Sequence, residues 1–185
     1  MKITAFQGSP HAGGSTAAII DKVLEAAAAA GAETSHVHIG GMDIAGCTAC
    51  FACRKTGKCA IDDDMQAIYT QMEDLDAAVL GFPIYFFQMN GQTKNFIDRL
   101  YAQYTEPGSH SISKNRPMVL IATWGAGEGA FDEYVEATKQ MLQFVGWNVV
   151  DVITVGESHN QANSEIIADK AAAAGRKLAE ALAAK

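Results

Sequence analysis

Proline is scarce, with only 4 in 185 residues, and Gly at 17 is ordinary, so the chain is neither a low-complexity linker nor a disordered segment. No apolar run is long enough to span a bilayer. The start, Met1-Lys-Ile-Thr-Ala-Phe-Gln-Gly8, lacks the basic segment and long apolar stretch of a secretory leader, so a cytoplasmic protein without a membrane partner is expected. Basic charge is also short: 14 Lys and Arg against 21 Asp and Glu give a net charge of −7 and a pI near 5.1. Nucleic-acid binding needs clustered cations that this chain does not have. No Gly-Lys-Ser/Thr follows a glycine loop and no Gly-x-Gly-x-x-Gly occurs, which disfavours a Walker site and a dinucleotide site. No nucleophile or general base stands out, and the five histidines are scattered. What remains is globular composition, 49% hydrophobic and 19% charged, in a chain expected to form a single domain over 1–185.

All four cysteines fall in one stretch, Cys47-x2-Cys50-x2-Cys53-x5-Cys59. Two-residue spacers let a backbone fold around a soft cation with the sulfurs turned inward. A [4Fe–4S] cluster is the usual occupant of such a tandem run. Structural zinc more often uses two separated Cys-x2-Cys pairs, and four redox thiols or disulfides in a loop at 47–59 are the plain alternative.

Along the chain, a strand over Lys2–Phe6 empties into Gln7-Gly-Ser-Pro-His-Ala-Gly-Gly-Ser-Thr16, followed by a helix with Ile19, Ile20, Val23, Leu24 and Ala27 on one face. Free amides at a helix N-terminus attract anions, and Ser9, Ser15 and Thr16 can add hydroxyl donors to a phosphate. A flexible turn with Ser15 as helix cap is the alternative. Strands are expected at Glu33–Ile39, Asp76–Phe82, Pro117–Thr123 and Asn148–Val155, alternating with helices. Asp62-Asp63-Asp64 reads as a helix cap rather than a metal site. The third strand ends in Pro83-Ile-Tyr-Phe-Phe87, where Tyr85 and Phe86 could stack on a flat ring. A helix is expected over Gln92–Tyr104, with Phe96, Ile97, Leu100 and Tyr101 inward and Lys94, Asp98 and Arg99 outside or at its ends. Thr105–Asn115 reads as an exposed connection. The fourth strand runs into a glycine-rich loop, Trp124-Gly-Ala-Gly-Glu-Gly129, and the Ala-rich helix from Ser164 reads as one more covering element.

Alternating strands and helices predict an α/β fold: a doubly wound five-stranded parallel sheet, order 2-1-3-4-5, with helices on both faces. Ligands of such sheets sit at the carboxyl ends of the strands. A phosphate loop, an aromatic wall and a glycine-rich loop at that edge suit a mononucleotide with a flat ring, FMN. The cysteine loop leaves the second strand at the same edge.

These features resemble the flavodoxin-like NADPH-dependent FMN reductase superfamily, and within it the iron–sulfur flavoproteins. The resemblance rests on Gly8-Ser9-Pro10 with Ser15-Thr16, the cysteine motif leading into Asp62-Asp63-Asp64-Met65, Pro83-Ile84-Tyr85, and Lys94 with Asp98-Arg99. It implies FMN phosphate on Ser9, His11, Ser15 and Thr16, and the ring against Pro83, Ile84, Tyr85, Phe86, Thr123, Trp124, Gly125 and Gly127. It also implies a [4Fe–4S] cluster on Cys47, Cys50, Cys53 and Cys59, and a homodimer or homotetramer. His11 stands where the family usually has Arg, and Phe86-Phe87 is bulkier than the usual loop after Tyr85. The expected function is electron transfer from a ferredoxin-like donor through the cluster to FMN and a small acceptor such as oxygen, peroxide or a quinone. The rivals are a cluster-free NAD(P)H-dependent FMN or quinone reductase, a flavodoxin-like carrier without acceptor turnover, and a zinc-stabilised binding domain.

Overall fold

The structure, a computed structural model, describes residues 1–106, 109, 110 and 115–184. Five strands form a parallel sheet: β1 (Lys2–Gln7), β2 (Glu33–Val37), β3 (Ala77–Tyr85), β7 (Pro117–Thr123) and β8 (Asn148–Val155), in the order β2-β1-β3-β7-β8. Counted along the chain, this is the expected 2-1-3-4-5. Two short hairpins were not anticipated. β4 (Gln88–Met89) turns back antiparallel on β3, and β5 (Tyr104–Glu106) pairs with β6 (Ser109–His110) inside the stretch expected to be a plain connection. The rest of that stretch, 107, 108 and 111–114, lies outside the described residues.

The continuous apolar runs of β3 and β7 are buried on both faces, as parallel strands covered by helices require. Register places Phe6 beside Leu80, and Leu80 beside Leu120. Side chains alternate between two cores. Phe6, Leu80, Phe82, Leu120 and Trp124 pack with Met65, Phe96 and Leu142 of helices α3 (Met65–Asp74), α4 (Gly91–Arg99) and α5 (Asp132–Phe144). Ile3, Val79, Ile121 and Ile153 pack with Ile20, Val23, Ala171 and Leu178 of α1 (Ser15–Ala29) and α7 (Glu165–Ala183). At Gly175 a Cβ would sit 2.3 Å from Val23 O, so the alanine-rich face of α7 lies directly on α1. Ser164 caps α7, its Oγ accepting from Ile167 N. Two short helices, α2 (Ala52–Thr56) and α6 (Ser158–Gln161), sit in loops.

Several boundaries differ from the sequence expectation. β2 stops at Val37, because the chain enters a 3-10 turn at Ile39–Gly41. α4 ends at Arg99 and tightens into a 3-10 turn over Leu100–Gln103. Arg99, expected outside or at a helix end, is 1% exposed, while Tyr101, expected inward, is 36% exposed. The physical reason is a buried partner: Asp63 meets Arg99 in a two-pronged ion pair.

Candidate functional site

Loops after β1, β3, β7 and β8 enclose a cavity of about 740 Å³ at the carboxyl edge of the sheet. That size is in the range of small-molecule and cofactor sites. Ser9, His11, Ser15 and Thr16 line it from the first loop, Pro83, Ile84 and Tyr85 from the third strand, and Thr123, Trp124 and Gly125 from the fourth. Phe86 and Gly127 do not line it. Ser158, His159 and Asn163 do, and sequence reasoning missed them. Their only sequence signal is position, just beyond the last strand of the sheet.

Gly14 precedes the first helical residue of α1, and no side chain caps this terminus. Ser15 therefore does not act as the cap; its hydroxyl donates instead to Ser158 O at 2.9 Å. The uncapped amides and the helix dipole make this end of the cavity a site for an anion. Thr16 Oγ1 and Thr123 Oγ1 are 2.8 Å apart, tying the first loop to the fourth. Ser9 Oγ accepts from His11 N at 3.2 Å, which leaves its own hydrogen to donate.

Buried polar side chains outside the cavity lining fix the shape of this loop. Gln7 Nε2 donates to His11 O at 2.9 Å, and Asn90 Nδ2 donates to Gly8 O at 2.6 Å. Thr93 Oγ1 donates to Asn90 Oδ1 at 2.6 Å and so orients that amide. His38 Nε2 lies 2.8 Å from Ser9 O, the geometry of an imidazole N–H donating to a carbonyl. Gly40 presses on the same segment: a Cβ there would stand 2.1 Å from Ser9 O.

The other wall is aromatic. Trp124 is buried, its Nε1 donates to Gly127 O at 2.9 Å, and its ring meets Phe131 edge-on at 5.7 Å. Phe131 meets Phe87 at 5.9 Å, and Phe87 meets Phe86 at 5.6 Å. Phe86 and Phe87 form the two-residue loop of the β3–β4 hairpin with φ of 44° and 74°. Two-residue hairpin loops favour positive φ because it matches strand twist, normally with Asn and Gly. This turn projects Phe86, which is 95% exposed, away from the cavity it was expected to line.

The cysteine loop stands elsewhere. Cys47 and Cys50 are exposed, Cys53 and Cys59 half-buried, and all four are free. They line one recess of about 30 Å³ together with Asp98, Arg99, Tyr101 and Ala102. Asn90, at the start of α4, holds the loop after β1, whereas Arg99, at its end, lines the recess, about 13 Å further along the axis at 1.5 Å per residue. No residue lines both. Ala49 and Phe51 adopt positive φ in the loop. The Ala52 N–H and the Thr48 hydroxyl pull the Cys50 thiol below its ordinary pKa. Arg54 stacks over the Tyr101 ring at 4.6 Å and donates to Tyr101 Oη at 2.8 Å, pinning α2 to the turn after α4. Among the described residues, no three His, Cys, Asp or Glu side chains are gathered to hold a metal ion. The all-thiol donor set suits an iron–sulfur cluster.

Behind the recess, Asp63 accepts from Arg99 Nη1 at 2.6 Å and Nη2 at 2.9 Å, from Ala45 N at 3.0 Å and from Met65 N at 3.1 Å. The carboxylate thus does more than the helix cap expected of it. Burial would raise its pKa, but Arg99 and the two amides outweigh burial and hold it below the usual carboxylate range. Asp64, which precedes α3, makes no cap and accepts from Asp43 N instead.

The family described as NADPH-dependent FMN reductase matches residues 1–162. An iron–sulfur flavoprotein of Methanosarcina thermophila is 32% identical over 150 residues, covering 81% of this chain and 77% of that protein. One from Archaeoglobus fulgidus is 30% identical over 188 residues, covering 100% of this chain and 82% of its own. Among solved structures, an NAD(P)H:quinone oxidoreductase from Methanothermobacter marburgensis superposes with a TM-score of 0.74 at 16% identity, covering 96% of both chains. A flavone reductase superposes at 0.78 and 19% identity, covering 99% of this chain, which spans 63% of that one. These two likenesses show the fold.

Proposed function

Because the chain belongs to the NADPH-dependent FMN reductase family, among its iron–sulfur flavoproteins, we propose that its main cavity holds FMN and its four cysteines a [4Fe–4S] cluster. It is a flavin-dependent oxidoreductase. In this reading electrons enter from a ferredoxin-like donor and leave to a small acceptor such as oxygen, peroxide or a quinone. The single observation that carries the FMN site is the 740 Å³ cavity joining an uncapped helix N-terminus to the Pro83–Tyr85 and Thr123–Gly125 walls. Bound FMN supplies the exchange between one-electron and two-electron chemistry, and a cluster supplies single electrons.

The chain's own residues bind and orient. The α1 amides and the Ser9 hydroxyl receive the phosphate, with Gln7, His38 and Asn90 holding their loop in place. His11 is exposed at the rim of the cavity. Pro83, Ile84, Tyr85 and Trp124 give the flat ring an apolar bed. Arg54, Lys55 and Lys58 are exposed around the cysteines of an otherwise acidic chain, a local patch suited to an acidic donor. Free thiols fit the reducing cytoplasm. A homodimer or homotetramer in which a cluster serves the flavin of another subunit belongs to the same reading, as the likeness to the iron–sulfur flavoproteins implies.

A cluster-free NAD(P)H-dependent FMN or quinone reductase is the second reading, and the 30% identity to an FMN-dependent NADH:quinone oxidoreductase of Bordetella bronchiseptica favours it. Iron, sulfide and flavin content after purification without oxygen separates the two. About four irons and one FMN per chain are expected. FMN without iron after anaerobic reconstitution, with direct reduction by NADPH, makes the second reading the answer. Reversible flavin reduction with no acceptor turnover would instead mark a flavodoxin-like carrier.

A further inference from the structure

Arg99 ends α4 and is the only cationic side chain that is fully buried among the described residues. A guanidinium has five N–H donors. Nη1 donates to Ala45 O at 2.9 Å and Asp63 Oδ2 at 2.6 Å, and Nη2 to Ile61 O at 3.3 Å and Asp63 Oδ1 at 2.9 Å. Four hydrogens are thereby used. The fifth, on Nε, is buried and has no acceptor among the described residues, although the Tyr69 hydroxyl, which donates to Arg99 O at 2.7 Å, lies beside the guanidinium and beside Cys59. A buried donor left unsatisfied is rare enough to call for a partner that is absent from the chain itself. Arg99 lines the recess shared by all four cysteines, and Cys59 is close enough to act on it electrostatically.

We infer that the Arg99 Nε–H donates a hydrogen bond to the cysteine-bound cluster, at the Cys59 sulfur or an adjacent sulfide. The inference rests on the proposed cluster. Asp63 clamps the two Nη groups, so the guanidinium cannot turn away, and Nε is the atom left for the recess. A centre with four thiolates is anionic and gains a further negative charge on reduction. A donor to its sulfur therefore favours the reduced form and raises the potential.

The test uses the full chain reconstituted without oxygen, with the potential read by a titration followed by electron paramagnetic resonance. Arg99→Lys keeps the charge and removes Nε–H. It is expected to shift the electron-transfer equilibrium about tenfold toward the oxidised cluster, about 59 mV lower for one electron. Asp63→Asn releases the clamp on the guanidinium and is expected to lower the urea midpoint. A second measurement does not depend on the Arg99 variant folding. Arginine labelled with ¹⁵N at Nε, in an Arg54→Lys background, is expected to give a ¹⁵N coupling to the reduced cluster by pulsed resonance. A cluster without that coupling, or an Arg99→Lys potential equal to that of the unaltered chain, overturns the inference and leaves the proposed function standing. A chain that takes up no iron overturns both.

Discussion

Asp63 and Arg99 carry the largest difference between what a residue type suggests and what it does here. A charged pair this deeply buried is held by geometry, and losing one member strands the other, at a cost of about 3–5 kcal/mol. The pH dependence has a definite sign. The Asp63 pKa is depressed in the folded chain, first against burial and then by Arg99 and two backbone amides. Its stabilisation is thus fully present above the unfolded value of about 3.9, and is lost as pH falls from there through the folded value. Urea midpoints measured from pH 6 down to pH 2.5 are expected to fall below about pH 4. Asp63→Asn is expected to be less stable at neutral pH and to show a shallower acid slope. An unchanged slope would mean that other carboxylates set acid stability.

Elements act on the site by close approach rather than by direct contact with a ligand. The 3-10 turn at Ile39–Gly41 presses on Ser9 O through Gly40, and α4 reaches Gly8 O through Asn90. A methyl group at position 40 would overlap backbone, which no rotamer change relieves. Gly40→Ala is expected to keep the far-ultraviolet circular dichroism of the native chain while weakening FMN binding about tenfold, equivalent to about 1.4 kcal/mol, as read by quenching of flavin fluorescence. Equal affinity in the variant would show that the loop shape at Ser9 does not govern binding. The β3–β4 hairpin holds two non-glycine residues at positive φ, a strain of about 1–3 kcal/mol each, beside the cavity mouth. The same turn explains why Phe86 leaves the cavity.

For the whole molecule, charge is distributed against its average. The net charge is −7, yet Arg54, Lys55 and Lys58 are exposed together around the cysteines. Neither lysine forms an ion pair among the described residues, so both remain available to a partner. The double variant Lys55→Glu, Lys58→Glu is expected to slow reduction by an acidic ferredoxin about tenfold at low ionic strength. The difference should shrink as salt is raised to 0.5 M, because exposed charges are screened over a few ångström there. A rate unaffected by either change would place the donor's docking surface elsewhere.

The sequence by itself determined the sheet. Period-two and continuous apolar runs specify strands, glycine loops specify the edge where they end, and alternation with helices makes the sheet parallel, while the expected order 2-1-3-4-5 is the five-stranded member of the common doubly wound orders. It also pointed to the loops that line the cavity after the first, third and fourth strands, because they are adjacent in sequence to those strands, but it did not foresee that Phe86 and Gly127 stand outside the lining. Ser158, His159 and Asn163 were not legible, since nothing in their types marks them apart from position after β8. Gln7, His38, Asn90 and Gly40 were not legible either, because their partners lie far away in the chain. Only the tertiary structure brought Arg99 under Asp63 and beside the cysteines. A buried ion pair leaves no periodic trace in sequence, and both of its members look like surface residues until the fold removes the water between them.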